Sequence, residues 1–429
     1  AAQATCTDGT VVHSIQLEGL KHTNPRVVER ELVNREGEPF TAEKFEAEKL
    51  RLQDLDLFTE VSVSCEKAGE PAEPGLVKLT YSFKEIFRWI PAPAGKKTDR
   101  DGLMLGAALA NINVAGEDIR LEVQYRTTVD PFFDKNEAAF YASSPYLFGL
   151  PLGWNFEFLL TDSYDNIRDF QEKSILLDLD LEYKFLPHLS LLGTAAYRRL
   201  RDFANLPELG LGFAFDYRDS KLDTRDGVYF EYMLTHVGAG EEYLACSANI
   251  ESDEPVETES RFCNTDNGEN YWELLTDARA YKTFGRFVTG ATALVRYRPG
   301  DVKFYDYYYH GGANTFRGHE ADSGSLGTHE ALLTLEERFV LLERRAASVM
   351  GVNFFYGVQL VAGFDGSLLW DKGRPGWDNY EGAVYGGVHL VIPALDRIRF
   401  EVGYSPDRGE PVFYFGLFDK VTSSRWRSR

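Results

Sequence analysis

The sequence predicts an α+β domain of β-α-α-β-β order over residues 1–85, then an all-β antiparallel barrel of about 16 strands crossing a membrane over residues 86–418. Three observations lead there. Apolar residues at helical spacing are confined to 24–58. From Phe87 to Phe418, segments of about 9 to 14 residues alternate apolar with polar, the length a tilted membrane strand needs. Aromatics reach 14%, yet no stretch approaches the roughly 18 to 20 apolar residues of a membrane helix.

The first domain reads in order. VVHSIQLEGL at 11–20 is a strand ending at Gly19. Asn24 and Pro25 open a helix, a cap followed by proline at the first helical position, and Arg35-Glu36-Gly37 stop it. Thr41 caps a second helix, along which Phe45, Leu50, Leu52, Leu55 and Phe58 recur. Val61–Cys65 and Leu76–Phe83 then alternate as strands joined by AGEPAEPG.

Beyond Glu85 the alternating segments are 102–112, 116–127, 152–163, 173–186, 189–200, 209–219, 226–236, 271–284, 286–298, 328–342, 354–370, 380–392, 396–404 and 411–418, with weaker ones at 86–94 and 136–143. In ILLDLDLEYKF, Leu177, Leu179 and Leu181 alternate with Asp178, Asp180 and Glu182, so one face is apolar and the other acidic. A soluble sandwich with a solvated acidic face gives the same pattern. The even segment number, and short turns such as 186–188 and 284–285 set against long connections at 237–270 and 299–326, favour the barrel. The first segment, FRWIPAPAG, carries Pro91 and Pro93, which donate no ladder hydrogen bonds and predict a weak seam.

Composition removes several functions. Asp and Glu number 67 against 46 Lys and Arg, which argues against a nucleic-acid partner. The eight histidines are scattered, and H-E-x-x-H, G-x-S-x-G and P-loop motifs are absent, so no catalytic residue, cofactor or metal is expected. Asp253, Glu254, Glu257 and Glu259 could attract calcium, but not at the spacing of a known loop. The chain opens AAQATC, without a basic or apolar leader, so any secretory signal is expected to have been removed or never present. Of four cysteines, Cys246 and Cys263 are the expected disulfide across one polar stretch; Cys6 and Cys65 are the other available pair, with Cys65 alternatively a small core residue beside Val61 and Val63.

The stretch 305–340 is the centre of interest. Its Gly-rich loop holds one arginine, Arg317, whose planar fork of donors seeks a carboxylate in a confined space. An internal tether and a solvated surface arginine are both open on this pattern alone.

Motifs then carry a resemblance. Gly19, Val27, Gly37-Glu38-Pro39-Phe40 and Leu57-Phe58 make the first domain similar to a POTRA domain. GGANTFRGH (311–319), LEERF (335–339), GFDGSLLW (363–370) and FDYRDSKLDTRDG (215–227), in that family's order, make the remainder resemble the surface-antigen barrel of the BamA/TamA superfamily. The resemblance implies a sixth loop, 299–326, folded into the lumen, with Arg317 and Gly318 locked against Glu336 and Asp365 on the barrel wall. It also marks a mid-barrel hairpin motif of Asp216, Arg218, Asp219 and Gly227. The chain departs from the family at His319, where an aromatic follows Arg-Gly, and in the basic tail 419–429 after Phe418.

The implied function is an outer-membrane assembly or translocation barrel that inserts or exports polypeptides, its POTRA sheet edge adding a strand from a client or partner. A secretion pore, or a structural scaffold subunit of a dedicated envelope complex, is the alternative. Expected partners are the lipid bilayer, unfolded or nascent barrel polypeptides or a secreted client, and periplasmic or outer-membrane proteins. The expected location is the bacterial outer membrane, with the N-terminal domain and the C-terminal tail in the periplasm.

Overall fold

The computed structural model describes residues 6–68, 75–98, 102–129, 134–201, 203–220, 223–238, 270–312, 315–319, 326–349, 352–371, 373, 375–392 and 397–417. Cys246, Cys263, the acidic stretch at 253–259 and the tail 419–429 lie outside them.

Local signals build the first domain. It contains β1 (Val11–Glu18), α1 (Pro25–Glu29), α2 (Ala42–Asp54), β2 (Phe58–Lys67) and β3 (Leu76–Glu85). β3 is central, with β1 parallel on one side and β2 antiparallel on the other. The Asn24 side chain accepts from the Arg26 amide, and Thr41 Oγ1 accepts from the Lys44 amide at 3.2 Å, as N-caps do. Gly19 sits at φ 86°, where a Cβ would lie 2.1 Å from the Phe83 carbonyl oxygen, so only glycine fits.

α1 ends at Glu29, short of the expected stop at Arg35–Gly37, and the cause is a buried carboxylate. Glu48 on α2 draws the Val33 amide (2.5 Å) and the Asn34 amide out of helical pairing, and also accepts from Asn34 Nδ2 (3.0 Å) and Tyr81 Oη (2.8 Å). Burial and the adjacent Glu48 push the Tyr81 phenol far above its ordinary pKa, so it remains a donor at physiological pH. Val12, Val27, Val28, Leu52, Phe58 and Leu79 fill the core around this group. Cys6 and Cys65 form a disulfide, so Cys65 is both bonded and buried.

The barrel strands are β4 (Trp89–Thr98), β5 (Gly102–Val114), β6 (Ile119–Thr128), β7 (Lys135–Ser144), β8 (Leu152–Asp165), β9 (Phe170–Leu186), β10 (Leu189–Leu200), β11 (Ala204–Asp216), β12 (Gly227–Val237), β13 (Tyr271–Phe284) and β14 (Phe287–Tyr297). Two-residue strands β15 (Tyr308–Tyr309) and β16 (Leu326–Gly327) pair inside the long loop. The wall resumes with β17 (His329–Val349), β18 (Val352–Trp370), β19 (Tyr380–Val391), β20 (Arg397–Tyr404) and β21 (Pro411–Leu417). Strands β4–β14 and β17–β21 form the predicted 16-stranded antiparallel wall. β11 starts earlier than expected because Pro207, a breaker in sequence terms, is accommodated opposite Tyr197, while Leu206 is buried. β17 and β18 outrun the expected segments as a long hairpin that reaches the first domain. There Asn353 Nδ2 donates to the Glu85 carbonyl at 3.2 Å, and Phe355 joins the domain's core.

Exposure decides between barrel and sandwich. Leu177 and Leu179 are 39% and 37% exposed while Asp178 is 1% exposed, so apolar faces point outward and acidic ones inward. A water-soluble sandwich would invert this. Tyr125, Tyr197, Trp272, Tyr297 and Tyr404 form an outward aromatic girdle at the end far from the first domain; Trp89, Tyr183, Phe215, Phe284 and Phe287 form one at the near end. No described helix is long and apolar enough to cross a membrane.

Two further features shape the site. β4 pairs with β5 from Trp89 to Thr98; among the described residues it pairs with β21 through Gly95, Lys96 and Lys97. The first domain touches three separate sectors of the ring. Asn24 Nδ2 donates to Glu117 (2.7 Å) and Arg30 pairs with Asp118 (3.1 Å) at the β5–β6 turn. Asp54 accepts from Ser220 Oγ (2.6 Å) at the β11–β12 connection, and β17–β18 supplies the third contact. The domain therefore lies across the near mouth of the barrel.

Reduction of Cys6–Cys65 opens a loop of sequence separation 59. The expected loss is about 4 kcal/mol of first-domain stability at 25 °C, read as faster proteolysis of residues 1–85 at a fixed urea concentration while the barrel stays resistant.

Candidate functional site

The loop between β14 and β17 enters the lumen and is held at two places. At its inner end, Arg317 lies between the inward faces of β17, β18, β19 and β20. Its Nε and Nη2 donate to Asp365 at 2.7 and 2.8 Å, and its backbone amide donates to the same carboxylate at 3.1 Å. Nη1 reaches Glu401 on β20 at 3.1 Å, and the guanidinium stacks 3.3 Å from the Tyr385 ring centroid. Arg317 is 7% exposed and Asp365 0%. Close approach is enforced by glycines. A Cβ on Gly318 would meet the Phe316 ring at 2.3 Å and Ala383 at 2.6 Å; one on Gly403 would overlap the Arg317 carbonyl.

Of the two expected acceptors, Asp365 takes the bidentate pair, while Glu336 stands 3.9 Å from Nη1. Glu336 instead accepts from Tyr385 Oη at 2.9 Å and lies 3.4 Å from Arg338 Nε. Glu401, Tyr385 and Thr334, whose hydroxyl donates to Asp365 at 2.8 Å, were not singled out in the sequence. The usable signal was parity: Glu401 is the inward charge in the alternating strand IRFEVGY. His319 packs its ring 5.2 Å from Phe316, bonds Glu381 at 2.5 Å, and offers its carbonyl to Tyr414 Oη at 3.0 Å. Tyr414 belongs to β21, so the loop is also fastened to a seam strand.

The loop's outer end carries a second charged knot that sequence reasoning missed. Asp306 accepts from Arg198 on β10 and from Tyr271 Oη at 2.6 Å on β13. Arg298 donates to Glu273 and to the Asp306 carbonyl, each at 2.5 Å, and Tyr308 Oη donates to Glu273 at 2.6 Å. Val302 and Tyr305 pack with Phe170, Leu206 and Val237 as an apolar lid on these contacts.

The hairpin motif lies at the opposite, near end. Asp216 receives both Nε and Nη2 of Arg218 at 2.8 Å. Asp219 accepts the Ser220 and Arg225 amides at 2.9 and 3.0 Å, closing the turn. Gly227 has φ 116°, and a Cβ there would lie 2.1 Å from the Tyr217 oxygen. The motif folds the connection inward: Asp223 accepts from Gln359 at 2.9 Å, and Arg338 donates to the Thr224 carbonyl at 2.5 Å. Among the described residues no group of His, Cys, Asp and Glu is placed to hold a metal ion.

This arrangement can fix a loop and two strand ends in register, and His310 adds a buried tie of the same kind, its Nδ1 bonded to Ser367 Oγ on β18 and its Nε2 2.9 Å from Glu330 on β17. Comparison with known proteins agrees with the architecture. The POTRA family model, described as a surface antigen variable number repeat, matches residues 10–86, and the Omp85 superfamily domain matches residues 111–417. No curated protein sequence matches the chain. Among solved structures, CdiB from Escherichia coli is 15% identical with a TM-score of 0.59, covering 95% of this chain and 76% of that one. CdiB from Acinetobacter baumannii is 11% identical at 0.56, covering 96% and 73%. BamA from Haemophilus ducreyi, lacking POTRA domains 1–3, is 13% identical at 0.52, covering 94% and 83%. At these identities the likeness is one of fold.

Arg317→Ala leaves Asp365 buried without its cation and leaves Glu401 with His389 at 2.9 Å, a loss of about 3 to 5 kcal/mol in loop docking. The expected outcome is protease cleavage within 299–326 of the membrane-inserted protein, at sites protected in the parent chain.

Proposed function

The chain belongs to the Omp85 superfamily, and from that membership we propose that it is an outer-membrane barrel that inserts or exports polypeptides. Residues 1–85 act as a single periplasmic POTRA domain, residues 86–418 form the barrel, and 419–429 form a periplasmic basic tail. The lipid bilayer and an unfolded barrel polypeptide or secreted client are its partners, the client engaging an open sheet edge by strand addition. Among the described residues β2 pairs with β3 alone, which leaves such an edge.

The observation that carries this reading is the closure. Among the described residues, three pairs join β21 to β4, where ten join β4 to β5. Backbone donors and acceptors left open at a wall in lipid are costly, so a strand that can pair with them is stabilised there. Arg317, with Glu336, Asp365 and Gly318, holds the loop that braces β17–β20 beside this seam, and Tyr414 extends the brace to β21.

A secretion pore is the second reading, favoured by a lumen filled from both ends by the loop and the β11–β12 connection. One reconstitution separates the two. In liposomes holding the protein, an urea-unfolded client barrel should reach its folded, heat-modifiable form at least about tenfold faster than in empty liposomes, with little conductance. No acceleration, with large conductance after Arg317→Ala, selects the pore instead.

A further inference from the structure

We propose that the first domain is a clamp across the seam, gripping the near rim of the barrel on both sides of β21–β4, and that Glu85 is the positioning residue joining the two grips. This clamp rests on the reading of the seam as the place of strand addition. Around the ring the order is β18, β19, β20, β21, β4, β5, β6. Parting β21 from β4 at the near end therefore draws the rim of β5 away from the rims of β18 and β19.

The grip on the β5 side is closely fitted. The Asn24 amide donates to the Gly116 carbonyl at 2.9 Å, and a Cβ on Gly116 would lie 2.2 Å from the His22 carbonyl oxygen. Asn113 Nδ2 donates to Thr23 Oγ1 at 2.9 Å. Arg30, paired with Asp118, also lies 3.7 Å over the Tyr146 ring on the neighbouring β7–β8 turn, and Tyr146 Oη donates to Glu31 at 3.1 Å.

Across the seam the grip is mostly apolar. Phe355 on β18 and Val391 on β19 are buried in one cluster with Leu79 and Phe83 of β3, and Ile112 on β5 belongs to the same cluster. Rim residues from both sides of the seam thus complete a single core. Separating them would return buried apolar surface to water. Asn353 Nδ2 adds its bond to the Glu85 carbonyl at 3.2 Å.

Glu85 takes part in both grips. Its carboxylate accepts the His22 and Thr23 amides at 3.1 and 2.8 Å, which sets the stretch that meets the β5–β6 turn. Its carbonyl is the acceptor for Asn353. It also ends β3, just before β4 begins at Trp89. The contact of Asp54 with Ser220 lies on the β11–β12 connection, away from the seam, and serves neither grip.

Hydrogen exchange read by mass spectrometry, on the full chain in liposomes, tests the clamp. Asn24→Gly/Arg30→Ala frees one grip, with glycine a tolerated helix cap. Asn353→Ala/Phe355→Ala frees the other. Each should speed exchange in β4 and β21 at least about tenfold with β13 and β14 unchanged, and Glu85→Ala should do the same. Combining both pairs should add less than about twofold, because one open end already undoes a clamp. Ser220→Ala should leave the seam as it was. A variant that also exposes β3 has let go at both ends, and the same rise is expected there. Unchanged exchange in β4 and β21, equal acceleration in β13 and β14, an equal response to Ser220→Ala, or multiplied effects in the combined variant would each overturn the clamp. The client reconstitution reports separately: no acceleration by the parent chain overturns insertion, and seam exchange in the variants still decides the clamp.

Discussion

A guanidinium enclosed by strands must find its charge partners in the wall, and this constraint organises the molecule. Arg317 finds Asp365 and Glu401 on β18 and β20, with Tyr385 beneath its plane. Removing either side of such a pair leaves a buried charge without compensation, so loop and wall are specified together. The glycines at 318 and 403 exist in the same service, since each lets backbone approach where any side chain would collide. Position, more than net stability, is what a buried fork of this kind supplies.

Contacts run on from the lock in both directions. Toward the near end, Glu336 meets Arg338, Arg338 meets Thr224, and Ser220 of the same connection meets Asp54 on α2. Toward the far end, the Asp306 knot fixes the start of the loop against β10 and β13. The loop is thus pinned by ionic and tyrosine contacts at two heights, and the first domain stands a few side chains away from it.

Much of this was legible from residue order. Strands with a two-residue period expose their inward and outward faces directly, which is why the segment 173–186 announces β9 and its acidic lumen face. Caps at Asn24 and Thr41 were equally local. What escaped was set by distant partners. The length of α1 depended on Glu48, some twenty residues away, and the reach of β17–β18 depended on the first domain's core. In the lock, Arg317 and Asp365 stood out through motif, whereas Glu401 and the Asp306 knot carry no motif and become visible only when the wall closes. The seam likewise needed the paired register, since two prolines point to a weak seam without giving which described residues join β21 to β4.

The charge arithmetic of the lumen has its own consequence. Were the loop to withdraw, Arg317 would leave with it, and Asp365, Glu401 and Glu336 would face one vacated space. That space would behave as a small cation-exchange resin, drawing in ammonium or guanidinium groups and repelling acidic ones. A polypeptide entering behind the departing loop would therefore be sorted by its basic residues before any contact with its apolar ones.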